Sequence, residues 1–321
     1  MRLAARRIQS LLAAVIILVA CQSCQHRELC YDHSHTSPVS LIFDWSLAPD
    51  ADPSTMVVWF FPVDGSAGTR FELTRNGSTT RGNTAFNTEV KVAPGQYFLV
   101  SHNGDTDNNI ERGNSFHSYH VQTYDDNILS PMNRDENAPR PDDTGSQPIR
   151  SAANTLYSHT HPDVITVEPS ATKAVSVIIT PREVTAIYNI LITDVTNLTA
   201  DTEASAVVTG VAETWHPASE SPAGAAVIVP FALNHCGPDC LRGSVVLFGD
   251  NAPHDLPHKL RVYTSYKYYY DFDITDQVHS APDPRHVDIV VHGLRLPQGS
   301  GSGMSPGVSD WGETIDQDIK M

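Results

Sequence analysis

Apolar residues alternate with polar ones along much of this chain, and that period limits what it can build. Val39, Leu41, Phe43 and Trp45 recur at every second position, the spacing of a strand with one buried face. Met56 to Phe61 is a continuous apolar run ended by Pro62 and Asp64-Gly65, which predicts a buried strand entering a turn. Shorter pieces follow at Arg70 to Thr74, Glu89 to Val92 and Phe98 to Val100, with an edge strand predicted at Phe116 to Tyr124. The first half shows no sustained helical stripe with caps. Its Gly, Pro, Asn and Asp clusters fall about every ten residues, the punctuation of a β-sandwich or barrel.

Asp125 to Ser151 is acidic, proline-rich and poor in apolar residues, so residues 125–153 are predicted to be an interdomain linker, with room for an ordered loop. Beyond it lie nine strand candidates: Val164 to Val167, Lys173 to Thr180, Thr185 to Val195, Ser205 to Val211, Ala225 to Leu233, Ser244 to Phe248, Lys259 to Tyr263, Tyr268 to Ile274 and Val287 to Val291. Thr185 to Val195 has a composition a helix tolerates, but Ile187, Tyr188, Ile190 and Ile192 favour strand. The expected organisation is all-β, with one sandwich over 39–124 and a second over 154–298.

The N-terminus carries a different signal. Arg2, Arg6 and Arg7 precede an unbroken apolar run from Leu11 to Ala20, the pattern of a secretory signal. The run is too short for a membrane span, which needs about 20 residues. It ends in Leu18-Val19-Ala20-Cys21, a lipobox, so residues 1–20 are read as a lipoprotein signal peptide and Cys21 as the acylated first residue. Several acyl chains, each contributing about 0.8 kcal/mol per buried CH₂, hold a protein durably at a membrane. Residues 21–38 then form a polar tether.

The net charge is −16 over 321 residues. Residues 1–20 hold three arginines and no acid, leaving 18 Lys+Arg against 37 Asp+Glu and a charge near −19. With no basic patch, that balance argues against nucleic-acid binding and against electrostatic docking on anionic lipid.

Of the five cysteines, Cys24 and Cys30 sit in the tether. Cys236 and Cys240 flank Gly237-Pro238-Asp239 and are a candidate disulfide, which an exported chain permits. Zinc is the alternative there, with His235 adjacent and His254 and His258 following. The spacing fits no standard finger or ribbon, so no metal and no cofactor is expected. Asp105-x-Asp107-x-Asn109 opens like a calcium loop, but Ile110 stands where glycine belongs and Phe116 where the closing glutamate belongs. Paired histidines occur at His33/His35, His117/His120 and His159/His161, as coincidence allows among 15. No Walker loop, nucleophile elbow, zincin helix or dinucleotide fingerprint is present, and a non-enzymatic protein is expected. Asp271, Asp273 and Asp276 beside Tyr268-Tyr269-Tyr270 are the composition of a glycan site. An ordinary exposed strand has the same composition.

After Gly299-Ser300-Gly301-Ser302-Gly303, a flexible hinge, the tail from Thr314 alternates. Ile315, Ile319 and Met321 share one face, and residues 299–321 are read as a hinge with a strand-like tail. Such a tail can pair with its own sheet or with an open edge of another subunit. The intramolecular pairing is the default.

Several landmarks together carry a resemblance. Cys21 is followed by Arg27-Glu28-Leu29-Cys30-Tyr31-Asp32-His33, and the first strand ends in Asp44-Trp45. Later come Phe61-Pro62-x-Asp64-Gly65, Pro94-Gly95-x-Tyr97, Gly243 to Gly249, Asp273-x-Thr275-Asp276-Gln277-Val278, and Asp310-Trp311 through Ile319 to Met321. The pattern resembles the fimbrial anchor and fimbrillin-like outer-membrane lipoproteins of Bacteroides-type bacteria. The resemblance implies two tandem transthyretin-like β-sandwiches on a lipid anchor such as palmitate. It also implies a role in pilus anchoring, assembly or adhesion, with other fimbrial subunits as partners. A surface-exposed position is favoured over a periplasmic one, although Gln22-Ser23 lacks the acidic run often tied to surface export. A surface lipoprotein that binds glycan or protein ranks second, and a secreted hydrolase third.

Overall fold

The first seven strands carry the alternation that the sequence announces. They are β1 (Ser37–Phe43), β2 (Thr55–Pro62), β3 (Thr69–Thr74), β4 (Thr88–Val92), β5 (Gly95–Asn103), β6 (Asn109–Arg112) and β7 (His120–Thr123). After a loop come β8 (Tyr157–Thr160), β9 (Ile165–Val167), β10 (Val175–Ile179) and β11 (Arg182–Glu183). The rest are β12 (Ala186–Thr193), β13 (Ala204–His216), β14 (Ser221–Gly237), β15 (Cys240–Leu247), β16 (Lys259–Thr264), β17 (Tyr269–Asp273) and β18 (His286–His292). One short helix, α1 (Thr275–His279), and a 3₁₀ turn at Ser130–Met132 complete the described elements. The computed structural model describes residues 36–75, 85–170, 172–251 and 256–296. Cys21, Cys24, Cys30 and the tail residues Ile315, Ile319 and Met321 lie outside them.

The chain is all-β and forms two tandem sandwiches. In the first, the sheet β10-β1-β4 faces a sheet ordered β11-β8-β5-β2-β3, with β9 beside β5. Val39, Leu41 and Phe43 of β1 meet Met56, Val58 and Phe60 of β2, Leu99 of β5, and Val177 and Ile179 of β10. In the second, the strands run β17-β16-β13-β14-β15-β12-β18. The 17-residue β14 makes this possible: it pairs with β13 along Ser221–Leu233 and with β15 from Asn234 to Gly237, passing from one layer to the other. Tyr188, Ile190 and Ile192 of β12 pack across the gap toward Val208, Phe231 and Val262. The stretch from Thr185 is thus strand, with alternate residues in the core, because β-branched and aromatic side chains fill a pleated face.

Partners differ from expectation more than strands do. β8, β9 and β10 fall within the predicted second sandwich, yet β8 and β9 pair with β5, and β10 lies parallel to β1. Apart from β6 and β7, which join β13, sheet membership therefore changes near residue 184 rather than at 154. A local alternation identifies a strand but not its distant partner. β7, expected at an edge, instead lies between β6 and β13. Residues 125–153, expected as a linker, cover the outer face of the second sandwich. Ile128, Leu129 and Met132 pack there on Val207, Ile228 and Tyr263, and the Tyr263 hydroxyl donates to the Pro139 carbonyl at 2.6 Å.

A further core joins the two sandwiches. Phe61 and Val100 point away from the first core and meet Tyr119, Val121, Leu156, Trp215 and Phe248. Both faces of β2 are thereby buried, which is why its sequence is an unbroken apolar run. Shared burial of this kind couples the halves, so urea unfolding is expected to give one transition. Phe61→Ala should destabilise it by about 3–5 kcal/mol without splitting it, read by near- and far-UV circular dichroism. Two resolved transitions in the unmodified chain would mean that the sandwiches unfold independently.

Candidate functional site

The disulfide candidates meet at a hairpin tip. Cys236 and Cys240 are bonded, with Cα atoms 5.1 Å apart, where β14 turns into β15. The alternative zinc grouping is not assembled around them. His235 Nε2 donates to the Thr202 carbonyl at 2.9 Å, His258 stands beside Asp250, and His254 lies outside the described residues.

The tyrosine run is not a binding platform. Tyr270 is 1% exposed and belongs to the second core, and Tyr268 packs partly against it. Tyr269 lies beneath Arg261, whose Cζ is 4.3 Å from the ring centroid. Tyr266 alone of the run projects strongly into solvent. Asp271 is engaged by the Arg261 guanidinium through both carboxylate oxygens, and Asp273 accepts from the Thr275 backbone N–H. These carboxylates hold the strand end together, and period-two geometry sends neighbouring tyrosines to opposite faces. Asp105 likewise fixes a turn, accepting from the Ser54 backbone N–H at 2.6 Å. Asn109 opens β6, a strand too polar to be read from its sequence.

Two polar clusters stand out that sequence reasoning missed. In the first, Glu111 on β6 sits at the junction of the sandwiches. It accepts from Arg70, from the Trp59 indole and from the Tyr119 hydroxyl at 3.0 Å, and Tyr119 Oη is also 2.6 Å from His102 Nε2. Burial pushes the Glu111 carboxyl up, but His102, Arg70 and Trp59 outweigh it and hold the carboxyl well below the usual carboxylate range. Burial, and then the Glu111 charge, pushes the Tyr119 hydroxyl far up. Four strands and a loop bring these residues together, so no sequence spacing announces them.

The second cluster is Asp250, His258 and His279, the grouping among the described residues able to hold a metal ion. Asp250 follows β15, His258 precedes β16, and His279 ends α1. His258 Nε2 is 3.0 Å from Asp250 Oδ1, and His279 Nε2 is 3.6 Å from Asp250 Oδ2. His258 Nδ1 faces the Thr209 carbonyl at 2.9 Å.

A further surface feature is the outer face of β12, β15 and β18. A shallow groove of about 660 Å³ runs there. Leu191 and Val290 are exposed in it, and the Asn189 amide donates to Asp288 at 3.0 Å. The neighbouring edge of β18 is partly closed. The Gln277 side chain accepts from the Val290 N–H at 2.8 Å and donates to its carbonyl at 3.1 Å, standing in for a backbone partner. Among the described residues no helix is long and apolar enough to cross a membrane.

Two tandem β-sandwiches fused through a shared core define a class seen in solved structures. A candidate adhesin from Bacteroides ovatus is similar over 83% of this chain and 94% of its own, at 15% identity and a TM-score of 0.59. A candidate adhesin from Bacteroides thetaiotaomicron is similar over 80% and 91%, at 10% identity and 0.52. The fimbrial anchor protein Mfa2 from Porphyromonas gingivalis is similar over 80% and 91%, at 12% identity and 0.50. At these identities the likeness is one of fold, and it agrees with the fimbrillin-like resemblance of the sequence. The chain belongs to the family described as Domain of unknown function (DUF5119), whose pattern matches residues 23–232. No curated protein matches it.

Two buried titrating groups contribute to the acid stability. The folded Glu111 carboxyl titrates well below 4.5, so its contribution is fully present above 4.5 and is lost as pH falls from there toward the folded value. His159 is lowered from 6.5 to about 4 by burial and then by the charges of His161 and Arg182. The unfolded chain takes up that proton first, so stability also falls from 6.5 toward 4. Urea midpoints should decline from neutral to acid pH. His159→Gln should remove the decline between about pH 6.5 and 4 and Glu111→Gln the decline below about 4.5, and titrations at about pH 7, 4.5 and 3 separate them.

Proposed function

We propose that this protein is a non-enzymatic lipoprotein of the cell envelope that serves as an anchor or accessory subunit of a fimbria-like surface structure. In this reading lipid on Cys21 holds it at the outer membrane, facing outward, and other surface subunits are its partners. The observation that carries the reading is the fused pair of sandwiches. Phe61, Tyr119, Trp215 and Phe248 lock them together, which suits a connector that passes force along its length. The charged side chains described above are bound into structural pairs, as Arg261 is with Asp271 and Arg70 with Glu111. The architecture shared with a fimbrial anchor protein and candidate adhesins supports the same role.

Replacing Cys21 by serine should move the protein from the membrane fraction to the soluble fraction and abolish labelling by palmitate. Retention in the membrane would remove the lipid anchor from the proposal. Deleting residues 314–321 should lower either the melting temperature, if the tail pairs within its own chain, or the recovery of co-purifying surface subunits, if it pairs between chains. Unchanged values of both would exclude the tail from subunit assembly.

A further inference from the structure

We propose that Asp250, His258 and His279 bind one divalent transition-metal ion of the zinc class. The proposal is independent of the anchoring role. The three side chains come from separate elements, yet one ligand atom of each lies within 4.8 Å of the others. Zinc ligands at 2.0–2.2 Å in tetrahedral array stand about 3.3 Å apart, and the two carboxylate–imidazole separations, 3.0 and 3.6 Å, bracket that value.

The orientation of His258 suits a metal ligand. Its Nδ1–H donates to the Thr209 carbonyl at 2.9 Å, which turns Nε2 toward Asp250. His258 is 0% exposed, and Nε2 makes no hydrogen bond although Asp250 Oδ1 is 3.0 Å away. A buried ring nitrogen at that distance from a carboxylate oxygen calls for positive charge beside both, which a bound metal ion supplies as well as a proton does. Metal-bound histidines are oriented by just such a bond from the second ring nitrogen to a carbonyl.

The surroundings are fixed in advance. The His258 backbone N–H donates to Thr275 Oγ1 at 2.9 Å, and Asp250 is bridged to Val211 of β13. The two imidazole rings meet edge to face at 5.0 Å between centroids, so they converge rather than stack. His279 is 25% exposed, leaving the ion reachable from solvent, with a fourth position for water. Two imidazoles and one carboxylate, without thiolate, suit zinc and its first-row neighbours better than calcium or magnesium, which take oxygen ligands. The ion would clasp the turn after β15, the start of β16 and the end of α1.

The test uses the purified full chain, stripped with chelator and titrated with Zn²⁺ and with Co²⁺. One equivalent of Co²⁺ should give the visible absorption of a tetrahedral site, and Zn²⁺ in excess should raise the melting temperature by several degrees. Asp250→Asn and His279→Ala, both at partly exposed positions, should each weaken binding by more than about tenfold. His161→Ala, in the separate His159/His161 pair, should leave it unchanged. The proposal is overturned if no stoichiometric binding occurs, if neither ligand variant weakens it, or if His161→Ala abolishes it.

Discussion

The structure depends on the second buried face of β2 and β5. Met56, Val58, Phe60 and Leu99 already fill the first core, and Phe61 and Val100 leave by the opposite side. Without a cover, that face would be an exposed aromatic patch of the kind soluble proteins avoid. Tyr119, just before β7, and Val121 of β7, together with Trp215 and Phe248 from the second sandwich, supply the cover. Burial at about 25 cal/mol per Å² makes the contact worth several kcal/mol. Pairing of β7 with Thr214 and Trp215 of β13 carries the backbone across the same junction. Glu111 marks the junction's rim. Its hydrogen bonds to Arg70, Trp59 and Tyr119 offset the cost of removing a carboxylate from water, and they favour one relative placement of β2, β3, β6 and β7.

The same logic of double burial explains the second sandwich. β13 is buried along nearly its whole length. Ala206 and Val208 face the core, while Val207 faces the strap formed by residues 125–153. That strap is polar in sequence because it satisfies backbone as well as side chains. Arg261, 1% exposed, donates to the Pro139 and Arg140 carbonyls as well as to Asp271. A guanidinium so deeply placed is tolerated because four of its five donors are met.

The strands were legible because period two is a local property. Ile187 and Tyr188 rightly indicated a strand from Thr185, and the alternation from Val39 marked β1. What local pattern could not convey was partnership. Val175 to Ile179 alternates equally well whether it joins a second sandwich or lies parallel to β1, more than 130 residues upstream. Asn109–Arg112 and Tyr157–Thr160 are too polar to register as strands, because neighbouring chain rather than their own apolar content stabilises them. The polar clusters were hidden for the same reason. Glu111 meets Arg70 across 41 positions of sequence, and Asp250, His258 and His279 converge only once β16, β17 and α1 have folded back. At Tyr268 to Tyr270 the composition fits both a glycan site and an ordinary strand, and the chain forms the strand. A strand with one face in the core consumes alternate tyrosines as packing.

Topology also bears on how such a molecule carries tension. β1, the first described strand, lies between β10 and β4 and bonds to both. A pull on Ser37 toward the N-terminus acts along the strand axis, so the ladders on both sides are loaded in shear and their bonds share the force. A strand peeled from an edge would instead lose its bonds one after another. β18, the last described strand, runs parallel to β12, and a pull at its C-terminal end loads that ladder in shear as well. Between the two strands, force crosses the interface packed by Phe61, Trp215 and Phe248, where yielding would require wetting an aromatic core. Under the proposed tether at Cys21, the strands that meet the load at each end are held along their length, and the junction between the sandwiches is packed with buried aromatic side chains.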